Sequence, residues 1–351
     1  MSLTSLASTD IRSFSEKIVT STWTDNTNNL TQLYSSSIAN FNSPTSSKWF
    51  YIEALNKVTT DTTAEVQFAC AYGHRNGSGS PDFTNDTGSF GYGASRTVYG
   101  QYRQLVYGDE EQPFTFGSHV PDDIYVININ RSRYKNSLAL GSLSLHLSGA
   151  SDPASDTHVL YLTDDSVSSN GVSRTSLIGR EFNIVSGASG QYSGSSANQV
   201  GGSGSYGLFY PDAGLIILNG DAFQTNDAGA TSSLSPWRNP AISTNVDKNT
   251  DKIYHAIQGG NHFILDSEEI ISSKYFFVRA KNHEYNYTTN PSFTDSTGNL
   301  LFSSMIDNPK VYITTVGLYN DNSDLLAVAK LSQPIAKDFT KEALFRVKLD
   351  F

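Results

Sequence analysis

Between Pro121 and Gly220 the chain repeats one pattern, a short apolar run followed by a polar linker. The runs are DIYVINI, LSLHLSG, HVLYLTD, REFNIVSG, YGLFYP and GLIILNG, and Ser, Gly and Asp dominate the linkers. Strands at such spacing point to an antiparallel meander folding into a sandwich or barrel. The last two runs meet across Pro211–Asp212–Ala213–Gly214, a hairpin turn. By period two, Tyr125, Ile127 and Ile129 share one face of the first run, and Val126, Asn128 and Asn130 share the other. The first set is expected to point inward.

Composition supports sheets. Charged residues make up only 17%, and Ser, Thr, Asn and Gly fill the gap, residues that favour turns over helix interiors. Abundant Tyr and Phe suit pleated surfaces. The expected fold is mainly β: antiparallel sheets in sandwich- or barrel-like domains, a few short helices and an N-terminal arm. Four segments are expected: 1–48, a helix and extended arm; 49–120, a hairpin plus helix; 121–223, the meander; and 224–351, a β domain ending in a strand.

Three helices are expected. In 9–20, capped by Ser8 or Thr9, Ile11, Phe14 and Ile18 fall at helical spacing. In 95–107, Ser95 is a candidate cap, Val98, Tyr102, Leu105 and Val106 share a face, and Gly108 is a stop. In 250–258, Ile253, Tyr254 and Ile257 point inward, ahead of Gly259–Gly260. Residues 21–48 carry sparse apolar anchors, Trp23, Leu30, Leu33, Tyr34, Ile38 and Phe41, and are expected to pack largely against other chains. KWFYIEALNKV and TAEVQFACAYGHR form a hairpin around Thr59–Thr60–Asp61–Thr62. The segment 185–206 is a low-complexity loop.

Near the end, VYITTVGLY and DLLAVAKL flank a hairpin tip at Asn320–Asp321–Asn322–Ser323. Both faces of that hairpin carry apolar groups, as in a sheet covered on both sides. FRVKLDF alternates instead, with Phe345, Val347, Leu349 and Phe351 on one face and Arg346, Lys348 and Asp350 on the other. It is expected at the sheet periphery.

Several chemistries find little support. A net charge of −10 and the lack of a Lys/Arg cluster argue against a nucleic-acid partner. No apolar run approaches the roughly 20 residues of a membrane helix, and no signal peptide is visible. Cys70, the lone cysteine, reads as a small core residue. The histidines, His74, His119, His146, His158, His255, His262 and His283, show no metal-ligand spacing. Ser132–Arg133–Tyr134–Lys135 matches an acylating S-x-x-K, but its companion motifs are absent. The glycine-rich runs at 88–93 and 201–207 lack the context of phosphate or dinucleotide loops. The acidic groups Asp109–Glu110–Glu111, Asp122–Asp123, Asp164–Asp165 and Glu268–Glu269 read as solvated loops, although two of them could supply a glycosidase pair. DFTNDTG at 82–88 and YNDNSD at 319–324 do not fit the twelve-residue calcium loop. No catalytic, cofactor or metal residues are therefore expected.

Several stretches carry a family likeness: FYIEALNKV, AEVQFACAYGHRNGSGSPDF, TVYGQYRQLVYGDEE, DIYVININRSRYKNSLALGSLSLHLSG, YGLFYPDAGLIILNG, FFVRAKNHEYNYTTNP, VYITTVGLYNDNSDLLAVAKLSQPI and FRVKLDF. The chain resembles virion structural proteins of contractile-tailed cyanophages and related marine phages. The resemblance implies a virion part without an active site, assembled in the bacterial host cytoplasm. Its expected role is in the tail baseplate or wedges, with multiple copies in a symmetric assembly bound to other tail proteins. A neck, collar or fibre-attachment protein is the alternative, and a carbohydrate-binding or carbohydrate-degrading virion protein is the rival from another class. Neither nucleic-acid binding nor membrane insertion is expected.

Overall fold

The computed structural model describes residues 4–36, 40–43, 46–49, 51–79, 93–148, 159–169, 173–192, 205–223, 246–286 and 290–350. In chain order the strands begin with β1 (Ile11–Ser21), β2 (Tyr34–Ser36), β3 (Asn40–Ser43), β4 (Ser46–Trp49), β5 (Tyr51–Leu55) and β6 (Val66–His74). After helix α1 (Ala94–Tyr107) come β7 (Asp123–Ile129), β8 (Ser137–Leu138), β9 (Ser144–Ser148), β10 (Val159–Asp164) and β11 (Arg174–Ser176). Then follow β12 (Gly179–Ala188), β13 (Gln191–Tyr192), β14 (Gly207–Tyr210) and β15 (Leu215–Asn219). Helix α2 (Val246–Gly260) precedes β16 (Phe263–Ile264) and β17 (Asp266–Ala280). The last described elements are α3 (Ser304–Asp307), β18 (Val311–Tyr319), β19 (Leu325–Lys337) and β20 (Ala343–Asp350). The fold is mainly β, with strand outweighing helix by 46% to 16%. Two compact units emerge, Ile18–Glu269 and the pair of segments Met1–Lys17 with Ile270–Phe351.

The larger unit is organised by a 12-stranded sheet with path β16-β9-β10-β12-β14-β15-β7-β6-β5-β2, from which β11 and β13 branch at β12. The apolar runs of the meander all become strands. Strand β7 is the exception to simple succession, because it lies between β6 and β15 rather than beside β9. Its register pairs Ile127 with Ile216 on one side and with Cys70 on the other. Strand β14 can approach β15 closely because Gly207 has no side chain; a Cβ there would sit 2.5 Å from the Ile217 carbonyl oxygen.

Alternation along these strands separates two apolar clusters. Phe68, Tyr125, Ile127 and Ile216 pack with Ile253, Tyr254 and Ile257 of α2. Ile124, Val126, Leu215 and Ile217 pack with Val98, Tyr99 and Val106 of α1. Tyr125, Ile127 and Ile129 are inward as expected, and Asn128 is exposed. Val126 is buried too, because α1 covers its face. Helix α1 ends at Gly108, which adopts the left-handed φ of 68° that glycine tolerates. Ser95 is not its cap: Gly93 holds that position, and the Ser95 hydroxyl donates to the Ser78 carbonyl at 2.9 Å. Helix α2 contains the expected 250–258 and buries the expected residues.

Two expectations are overturned. Residues 9–20 do not form an α-helix; a single 3-10 turn at Ser8–Asp10 leads into β1, which pairs with β17. Phe14 and Ile18 are four apart, so they share a face in a strand as well as in a helix. Strand pairing then decides, and Phe14 meets Tyr275 edge-on at 5.4 Å. The arm is also not free of its own body. Trp23 is 2% exposed and its indole N–H donates to the Phe263 carbonyl at 2.7 Å. Leu30 and Leu33 join the same core. Backbone bonds from Thr22 to Leu265 and from Leu30 to Phe263 tie the segment down. The side chains of Ile38 and Phe41 lie outside the described residues.

In the smaller unit, β17 and β20 pair antiparallel, Phe276 with Val347 and Val278 with Phe345. Residues 345–350 behave as expected, Phe351 lying outside the described residues: Phe345 and Val347 are buried, Arg346, Lys348 and Asp350 are exposed, and β20 ends the path β1-β17-β20. Strands β18 and β19 pair as the expected hairpin. Its inner face, Val316, Leu318, Ala327 and Ala329, packs with Phe345 and Val347. Its outer face departs from expectation, since Tyr312, Leu326 and Val328 are exposed rather than covered. Period two assigns residues to faces but does not state what covers a face. Lys337, at the end of β19, is 1% exposed, and its ammonium donates to the carbonyls of Asn282 and Glu284 and to Asn286 Oδ1.

Candidate functional site

The structure disperses most of the chemistry-bearing residues. Cys70 is fully buried, and burial pushes its thiol pKa far up, as for a core residue. Ser132 and Lys135 are both exposed, and the Ser132 hydroxyl donates to Asn130 Oδ1 at 2.9 Å. His119 meets Asp221 at 2.9 Å, His74 accepts from the Asn76 N–H, and His255 and His283 are exposed. His158, the 82–88 loop and most of the 88–93 and 201–207 runs lie outside the described residues. Asn320 closes the 319–324 turn by accepting from the Asp324 N–H at 2.7 Å. Among the described residues, no three of His, Cys, Asp or Glu form a metal-binding group.

The acidic groups behave unevenly. Asp109, Glu110 and Glu111 are exposed as expected, and Asp122 pairs with Arg75 at 3.1 Å. Asp123, Asp164 and Glu268 are instead buried, because each sits on a strand rather than in a loop. Burial raises the Asp164 pKa, while one of its oxygens accepts from the Gly141 N–H at 3.0 Å.

Two arrangements escaped sequence reasoning. The first is a stacked histidine pair, with the His146 and His262 rings 3.8 Å apart and tilted by only 17°. Asn29 fixes the tautomer of His262. Asn29 Oδ1 accepts from the Phe263 N–H at 2.8 Å, which turns its amide nitrogen toward His262 Nδ1 at 3.1 Å. Nδ1 must then accept, so Nε2 carries the proton and donates to Ser144 Oγ at 3.2 Å. Burial, with His262 beside it, holds His146 down at about 4. No spacing rule links positions 146 and 262; β9 and β16 bring them together.

The second is a cleft of about 680 Å³ between α1 and strands β5, β6 and β7. Ala69 and Ala71 pair with Glu53 and Tyr51, and small residues at this point keep the space open. Tyr102, Asn128 and Arg131 also line it. The Tyr102 phenol is hydrogen-bonded to the Asn128 side chain. Arg131 donates to the Tyr134 carbonyl at 2.6 Å and lies 4.5 Å over that ring.

The smaller unit presents an exposed apolar surface. Tyr312, Leu325, Leu326, Val328 and Leu344 are all exposed there, with Leu326 at 68%. Among the described residues, strands β1 and β20 each pair only with β17, and β18 and β19 pair only with each other. Comparison with protein-family models, curated proteins and solved structures finds no match. No helix among the described residues is long and apolar enough to cross a membrane.

Proposed function

We propose that the chain is a structural component of a tailed-phage virion, in the tail baseplate or its wedges. It works by self-association and by binding other tail proteins, in multiple copies. The observation that carries this reading is the exposed outer face of the β18–β19 hairpin, with Tyr312, Leu326 and Val328 beside strand edges that pair with no other strand among the described residues. Exposed apolar faces rarely persist without a partner, and an open edge is a template for another strand. The resemblance noted above supplies the virion context. A neck, collar or fibre-attachment position would use the same surfaces.

Imaging of labelled protein in purified particles tests the location, and light scattering tests the association. The full chain is expected to form oligomers of defined size, and Leu326→Asp with Val328→Asp is expected to return it to monomers of unchanged melting temperature. A chain that is monomeric at every concentration and absent from particles would overturn the reading.

A further inference from the structure

We propose that the cleft beneath α1 binds a neutral saccharide, a role that goes beyond assembly. Its volume of about 680 Å³ falls within the usual range of small-ligand sites. The argument for a sugar rests on which groups face that space. A sugar ring presents C–H faces, which pack on aromatic rings, and a rim of hydroxyls, which both donate and accept. The cleft meets both needs. Tyr51 lies at the cleft with 43% of its surface exposed, and Tyr102 adds a second ring. Glu53 can only accept, Arg131 can only donate and Asn128 can do both. That set matches a ligand rimmed mainly by hydroxyls.

Competing ligands fit less well. Glu53 and Arg131 balance in charge and no lysine among the described residues lines the cleft, so an anion such as phosphate meets no net attraction from them. An extended peptide finds little strand edge to join there, because β6 and β7 are each paired on both sides and β5 pairs with β2 from Glu53 to Leu55. The polar groups are also held before any ligand arrives. Arg131 is pinned by the Tyr134 ring and carbonyl, and Asn128 is tied to Tyr102. Ordering costs on binding are correspondingly small.

The test is isothermal titration of the full chain with maltose, cellobiose, lactose and N-acetylglucosamine, with glucose 6-phosphate and glucuronate as charged controls. Amide chemical shifts are followed in parallel. At least one neutral sugar is expected to bind and to move the signals of residues 51–53 and 128–131. Tyr51→Ala and Asn128→Asp are each expected to weaken binding about tenfold or more, with melting temperature unchanged by the exposed Tyr51→Ala. Leu326→Asp lies outside the cleft and is expected to leave sugar binding intact even where it abolishes association. Three results would each overturn the proposal: no binding of any neutral sugar at millimolar concentration, equal or tighter binding of the charged controls, or binding undiminished by both cleft substitutions.

Discussion

The two units use the same strand chemistry but reach different interiors. In the larger one, Phe68, Tyr125 and Phe209 are completely or almost completely enclosed, and both faces of the sheet are covered. In the smaller one, the best-buried cluster, Val316, Leu318, Phe345 and Val347, keeps 6–9% exposure, and most of the exposed large apolar side chains among the described residues lie in that unit. A long sheet closes its own core by adding helices to both faces. A short sheet and a lone hairpin cover each other once and leave the remaining apolar face to water. The larger unit is therefore complete by itself, and the smaller is complete only on one side.

The sharpest way to break this comparison is to remove residues 345–351. That deletes Phe345 and Val347, each worth about 1.5–3 kcal/mol when fully buried, from a unit with few other anchors. Calorimetry is expected to show the smaller unit's transition vanish while the larger unit's remains. An unchanged thermogram would mean that the strand is dispensable. Next in size, Trp23→Ala is expected to cost the larger unit about 3–5 kcal/mol in urea unfolding, because its indole is enclosed between Phe68 and Phe263. A negligible loss would return residues 21–33 to the status of an arm. Gly260→Ala is expected to cost about 1–3 kcal/mol by overpacking, since the added carbon would meet the His146 carbonyl oxygen at 1.9 Å.

The stacked histidines give the larger unit a pH dependence of its own. Both rings titrate lower in the fold than in the unfolded chain, and His146 drops from 6.5 to about 4. The unfolded state therefore binds protons first. Stability is whole above about pH 6.5 and declines as pH falls toward 4. A proton on His262 Nδ1 would also set donor against donor at Asn29. His146→Gln is expected to flatten this slope relative to the unaltered chain in the same buffers; an unchanged slope would assign it to carboxylates. The smallest effect belongs to the outer hairpin face, where Val328→Thr is expected to shift stability by less than about 0.5 kcal/mol. A larger loss would show that the face is already packed.

The legible parts of this fold were those with short-range causes. The meander strands, the Pro211–Gly214 turn, the Asn320–Ser323 tip and the alternation of FRVKLDF all follow from local periodicity and turn residues. Misreadings arose where the cause lay far along the chain. Trp23 looks like a stray anchor in a polar stretch until Phe263 arrives 240 residues later. Phe14 and Ile18 satisfy both periods, and only pairing with β17 separates them. Asp164 looks solvated beside Asp165 because nothing near it announces Gly141. The cleft and the histidine pair are assembled from several strands, so no motif could mark them.

The position of β7 has a consequence for the order of events during synthesis. Its partner β6 precedes it, but β15 begins at Leu215, well after Ile129 has left the ribosome. At ordinary elongation rates that gap is on the order of 5–15 s. Throughout it one edge of an apolar strand waits without its neighbour, and the latch between Leu30 and Phe263 closes later still. Nascent chains stalled between these points should be the ones most prone to aggregate or to recruit chaperones: the sheet's centre is committed only once β15 has emerged, and its β16 rim last of all.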